Sequence, residues 1–158
     1  MSKLTSIRPP PHQSATRYED DLYGWVQQQV SLLRAKLVTD IDAANIAEEL
    51  ASVGNELREK LESATAVLTL HLLKWDHQTD LRSRSWALSV REQRRRIERL
   101  LRRNPGLKSV LDEAIVEGYA DGRDRALLET GLDDDALPEA CPYTFAEMMM
   151  RPIAWERK

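Results

Sequence analysis

Apolar residues in this chain recur at intervals of three and four rather than two, and the longest such series fixes the fold class. Ile46, Leu50, Val53, Leu57, Leu61, Ala64, Leu68, Leu72 and Trp75 are separated by 4, 3, 4, 4, 3, 4, 4 and 3 residues. Their mean spacing is that of an undistorted helix, ~3.6 residues per turn, not the ~3.5 of a heptad seam, so the stripe stays on one side of a straight helix. This helix is expected to open near Thr39 to Asp42. Gly54 interrupts it at a cost of about 1 kcal/mol relative to Ala, which packing on either side has to offset.

The same periodicity predicts three further long helices. A first runs from Asp20 or Asp21, either of which can cap it, to about Lys36, with Leu22, Trp25, Val26, Gln29, Leu32 and Leu33 inward. After a polar turn from Gln78 to Ser85, a third buries Trp86, Val90, Gln93, Ile97, Leu100 and Leu101. Asn104 followed by Pro105 is the cap and first-turn signature of a fourth, which runs to Gly131 with Leu107, Leu111, Ile115 and Tyr119 inward. On that helix Ala114, Gly118, Gly122 and Ala126 recur every four residues, a stripe without bulky side chains that lets another backbone come close. Residues 132–142 read as irregular. Thr144 and Glu147 form a capping box for a short helix through Arg151, ended by Pro152, after which Trp155 is expected to fold back onto the body.

The expected architecture is therefore all-α: a bundle of four main helices with a long second helix, a short C-terminal helix and a disordered N-terminal tail. Residues 1–17, with Pro9, Pro10 and Pro11 in a row and no periodic apolar positions, form the tail, and residues 18–158 one helical bundle domain. No stretch gives the period-two alternation of a strand. The chain is long enough to bury a core without metal or disulfide. The lone Cys141 has no intramolecular partner, and no secretory-type apolar core is found near the amino end, so the expected setting is the cytoplasm. The most apolar helical stretch, Ala66 to Trp75, holds His71 and Lys74 and falls far below the ~20 residues needed to cross a bilayer, so no membrane role is expected.

Charge changes the picture. The formal net charge is only −3, yet residues 82–103 carry nine arginines against Glu92 and Glu98, and the flanking segments are acidic. Arg91, Arg95, Arg99 and Arg102 share one face of the third helix, with Arg96 and Arg103 on an adjoining one. Two readings follow. Glu48, Glu56, Glu59 and Glu62 of the second helix, with Asp112, Glu117, Asp121 and Asp124 of the fourth, are expected to neutralise these arginines inside the bundle. The alternative is an open surface that grips nucleic acid or another anion. A narrower anion site is predicted where Arg82 and Arg84 precede or open the third helix beside Ser85, Trp75, His77 and Trp86, with Asp76 and Asp80 as internal counterions. Together with Arg91 and Arg95, Arg82, Arg84 and Ser85 make up the candidate anion-binding set.

Other chemistry finds little footing. No Glu-x-x-His pair and no histidine pair four residues apart occurs, so no metal or other cofactor is expected. His71 reads as a histidine at the core boundary. Cys141, between Pro138 and Pro142, reads as a structural cysteine rather than a nucleophile, and glycine-rich phosphate loops and a nucleophile elbow are absent.

Several blocks together resemble a known family. LLKWDHQTDLRSRSW from Leu72, followed by REQRRRI from Arg91, is preceded by Tyr18, Asp21, Trp25, Gln29 and Arg34 and then by Asn45, Ile46, Glu49 and Leu50; Tyr119 to Gly131 with Pro138, Cys141, Pro142 and Tyr143 closes the pattern. In this combination the chain is similar to an uncharacterised bacterial family, the domain of unknown function number twenty-nine, over roughly residues 18–150. The resemblance implies an all-helical fold and carries no activity onto these residues. The expected function is a helical protein-interaction or regulatory module with an unknown protein partner or self-association, since a helix of about 30 residues reaches ~45 Å and outruns shorter neighbours. The alternative is nucleic-acid or anion binding through the arginine-rich helix.

Overall fold

The computed structural model describes residues 17–155; the expected proline-rich tail lies outside the described residues but for Arg17. Every regular element among them is helical: α1 Leu22–Arg34, α2 Ala43–His77, α3 Arg84–Arg103, α4 Leu111–Thr130 and α5 Phe145–Met150, joined by three 3-10 turns. The all-α class, the long second helix and the short last one are as the periodicity indicates. The chain divides into two compact units, one ending at Ala51 and one beginning at Ser52.

The first unit holds α1 and the opening turns of α2. Asp21 caps α1 by accepting from the Gly24 amide at 2.9 Å. The helix stops at Arg34, two residues before the expected end, because Lys36 adopts φ 59° and the amides of Lys36 and Leu37 turn back to the carbonyls of Leu33 and Leu32. A polar knot fastens the unit. Asp42 accepts from the Trp25 indole at 3.2 Å and from Asn45 Nδ2 at 2.7 Å, and its amide donates to Gln29 Oε1 at 2.8 Å. Tyr18 donates to Glu49 Oε1 at 2.5 Å and meets Trp25 edge-on. Only Trp25 and Gln29 of the α1 stripe are buried, whereas Leu22 and Leu33, expected inward, are nearly half exposed.

The second unit is built on the rest of α2. Leu61, Ala64, Leu68 and Leu72 pack with Val90 and Ile97 of α3, Ala114 of α4, Met148 of α5, and Leu107. A second cluster joins Leu70 and Leu73 to Tyr119, Ala126 and Leu137. From Ala64 to Trp75 α2 is therefore buried on more than the one stripe foreseen, Thr65 and Thr69 included. Towards its start the stripe is open: Leu50 and Val53 are exposed.

The small-residue stripe of α4 faces α2 at backbone range. A Cβ added at Gly118 would lie 2.7 Å from the Glu62 carbonyl oxygen, and one at Gly122 would lie 2.5 Å from that of Ala66. The two helices pack here through main chain and threonine side chains. The fourth helix opens later than its Asn104-Pro105 signature suggests: Asn104 closes α3 by donating its amide and its Nδ2 to the Leu100 carbonyl, Pro105–Val110 form a 3-10 turn, and α4 begins at Leu111. It ends on Gly131 at φ 67°.

The irregular segment after α4 is tied down by side chains. Arg123 donates to the carbonyls of Asp134, Leu137 and Pro138, and Tyr119 donates to that of Pro138 at 2.5 Å. Asp76 receives the Tyr143 hydroxyl at 2.8 Å and a bidentate clasp from Arg151 at 3.0 and 3.1 Å. The capping box at Thr144 and Glu147 forms as expected.

Candidate anion-binding surface

The side chains with the most unused binding capacity lie on α3. Ser83 caps this helix by accepting from the Trp86 amide, so Arg84 is its first residue and Ser85 stands exposed in its first turn. One face buries Val90, Gln93 and Ile97. At 3.6 residues per turn, Arg84, Arg91, Arg95, Arg99 and Arg102 all fall on the opposite side within one arc about 80° wide, with Leu88 among them. From Arg84 to Arg102 that arc extends ~27 Å along the helix.

The expected neutralisation by neighbouring carboxylates does not occur. Among the described residues no ion pair reaches Arg84, Arg91, Arg95, Arg96, Arg99, Arg102 or Arg103. Several acids are engaged elsewhere: Glu62 and Glu113 pair with Arg58, Glu56 with Lys60, and Glu129 with Lys74. Arginines four residues apart, such as Arg91 and Arg95 or Arg95 and Arg99, repel one another by ~0.2–0.5 kcal/mol per pair on an exposed helix. An anion laid along the stripe relieves that repulsion.

The surface is grooved along the helix. A cleft of about 280 Å³ lies between Arg84, Ala87, Leu88, Val90, Arg91 and Arg94 on one side and Ile153 and Trp155 on the other. A second, of about 420 Å³, is lined by Leu88, Arg91, Glu92, Arg95 and Arg99. A third, of about 330 Å³, is lined by Arg96, Arg99, Leu100 and Arg103. Leu88 and Arg91 line both the first and the second, and Arg99 both the second and the third, which makes the arginine stripe the track common to them.

Of the predicted anion set, the structure brings Arg84, Arg91 and Arg95 together on this track and places the others elsewhere. Arg82 donates to the Trp75 carbonyl at 2.8 Å and stacks its guanidinium on the Trp75 ring, closing the end of α2. Asp76 cannot serve as its counterion because Arg151 and Tyr143 hold both carboxylate oxygens. Among the described residues Asp80 makes no ion pair with either arginine. The anchoring contact of Arg94 has no counterpart in the sequence pattern, whereas Trp155 folds back as expected. Arg94 donates to the carbonyls of Met148 and Arg151 at 2.7 and 2.8 Å, which seats α5 and the following segment beside α3, and that segment brings Trp155 to the rim of the first cleft. No local pattern signals a contact 54 residues distant.

Elsewhere the titratable groups look structural. Burial pushes the Cys141 thiol above its ordinary value, the opposite of an activated nucleophile. Burial and then the Asp76 hydrogen bond push the Tyr143 hydroxyl well up. Burial, followed by the nearby Lys74, holds His71 below its usual value. Among the described residues no group of three His, Cys, Asp or Glu side chains is placed to hold a metal ion, and no helix is long and apolar enough to cross a membrane.

No curated protein and no solved structure matches the chain. The model of the family described as domain of unknown function DUF29 matches residues 17–152, which carry all five helices, the arginine track and the clamps around Asp42 and Asp76, and the chain belongs to that family.

Proposed function

We propose that this protein is a binding module that holds a nucleic-acid backbone along the arginine track of α3. The observation that carries the reading is the stripe Arg84, Arg91, Arg95, Arg99 and Arg102, which is free of carboxylate partners among the described residues. A row of guanidiniums ~27 Å long fits a linear polyanion better than a single small anion. The acidic surroundings do not defeat it, because charges beyond the Debye length of ~8 Å at physiological salt are largely screened. The expected setting is a cytoplasmic one. In a mobility-shift titration at low salt, wild-type protein should retard a labelled oligonucleotide. Replacing Arg91, Arg95 and Arg99 together by Gln should abolish the shift without lowering helicity. An unshifted oligonucleotide with wild type, or a shift kept by the triple variant, would remove this reading.

A second reading, association with a protein or with another copy, is supported by the first unit. There Leu22, Leu33, Leu37, Val38 and Leu50 are 45 to 67% exposed, apolar side chain that a partner could cover. Sedimentation across a concentration series tests it; a monomer throughout would dismiss self-association.

A further inference from the structure

The first cleft differs from the other two in chemistry. Its lining joins the apolar side chains of Ala87, Leu88, Val90 and Ile153 and the half-buried Trp155 to the exposed Arg84 and Arg91. Arg94, the third guanidinium there, is already committed to two carbonyls, so it fixes the cleft's shape rather than offering a free charge. A volume of about 280 Å³ lies just under the range that takes drug-sized ligands and suits one flat ring system. We infer that this cleft receives a base of a single-stranded nucleic acid, placed against Trp155 and the aliphatic lining, with the flanking phosphates on Arg84 and Arg91 and the strand continuing along the track past Arg95.

Base capture in this cleft rests on the backbone-binding reading and sharpens it. Arginines alone accept duplex, single strand or polyphosphate with little preference, because phosphates carry no base information. An aromatic side chain in an apolar lining adds an interaction available only to an unstacked base, since the bases of a duplex are covered on both faces by their neighbours. The two exposed charges set the polarity of the occupant. An apolar ligand without flanking anions leaves Arg84 and Arg91 unused, and a bare anion leaves the apolar lining uncovered.

The test compares three strands of equal length by fluorescence anisotropy: oligothymidylate, the same backbone with abasic sites, and a hairpin duplex. Stacking on one aromatic side chain changes affinity about 5- to 150-fold. Wild type should favour oligothymidylate over the abasic strand by a factor in that range. Trp155→Ala should erase the preference, and Trp155→Phe should keep most of it. Ala87→Leu, which fills the cleft without altering charge, should also erase it, so a folding defect peculiar to Trp155→Ala does not decide the matter. Equal binding of all three strands by wild type would overturn the base cleft while leaving backbone binding intact, and absence of binding to any strand would overturn both. An acidic peptide that binds as tightly as oligothymidylate and depends equally on Trp155 would overturn the nucleic-acid occupant.

Discussion

Replacing Gly122 by alanine tests the packing of the second unit, because two well-known effects of opposite sign meet there. Alanine favours a helix over glycine by about 1 kcal/mol. Against that, the new Cβ would stand 2.5 Å from the Ala66 carbonyl oxygen and 3.2 Å from the Leu70 amide nitrogen, and would overlap Thr69 Oγ1. Two of those three neighbours are main chain of α2 and cannot swing aside, so α4 must draw back by something near an ångström. Thr65, Thr69, Ala114 and Ala126, all buried in this unit, then lose contact. Overpacking of this kind costs about 1–3 kcal/mol, and rigid neighbours place it near the top of that range. Subtracting the helix gain leaves a net loss of about 2 kcal/mol, or a fall in Tm of roughly 4–8 °C for a chain of this size. Gly54 provides the control, since a Cβ there meets nothing within 4 Å. The same substitution at Gly54 should stabilise by about 0.4–1 kcal/mol. Urea denaturation followed by circular dichroism reads both, and Thr69→Ala combined with Gly122→Ala should recover part of the loss. A Gly122→Ala variant as stable as wild type, or more so, would refute the close helix contact.

Other outcomes follow from single groups. Lys36→Gly should stabilise by about 0.5–1 kcal/mol in urea melts, because lysine bears the left-handed φ of 59° that glycine adopts freely. Burial holds His71 neutral with its pKa below 6.5, so the unfolded chain binds the extra proton more readily; stability should fall as pH drops from 7 through that lowered value, and His71→Gln should flatten the profile. Cys141, its thiol raised by burial, should react with a disulfide reagent at neutral pH more slowly than free cysteine, and rapid labelling of the folded protein would contradict its placement. Arg94→Lys should loosen α5, since an ammonium cannot reproduce the paired donors at Met148 and Arg151 at 2.7 and 2.8 Å; hydrogen exchange should speed up from Phe145 to Met150 and not in α1.

Helix positions were legible because each depends on residues within a turn or two of one another. Asp21, Thr144 with Glu147, and Gly131 all act locally and do what their chemistry indicates, and the periodic Ala114 to Ala126 stripe marks the face that meets α2. Periodicity names the face that can be buried, not whether anything covers it. Leu22, Leu33, Leu50 and Val53 keep the right spacing and remain exposed. Ion pairing was the least legible feature. Acidic flanks implied that the α3 arginines would be neutralised, but a side chain reaches only a few ångströms, and Glu56, Glu62, Glu113 and Glu129 pair instead with Arg58, Lys60 and Lys74. Several residues behind the family resemblance are clamps, Tyr18 on Glu49, Trp25 and Gln29 on Asp42, Tyr119 on Pro138, and Tyr143 on Asp76, while Arg84, Arg91 and Arg95 of the same blocks lie on the track. The clamps explain how the fold is fastened, whereas the candidate track consists of arginines whose significance lies in what they do not touch.

The salt dependence of oligonucleotide binding tests the central claim most directly. If five guanidiniums each neutralise a phosphate, log K should fall against log salt with a slope of about −3.5 for a single strand, shallower by ~0.7 for each of Arg91, Arg95 and Arg99 replaced by Gln. A slope near zero, or one that those replacements leave unchanged, would contradict the account.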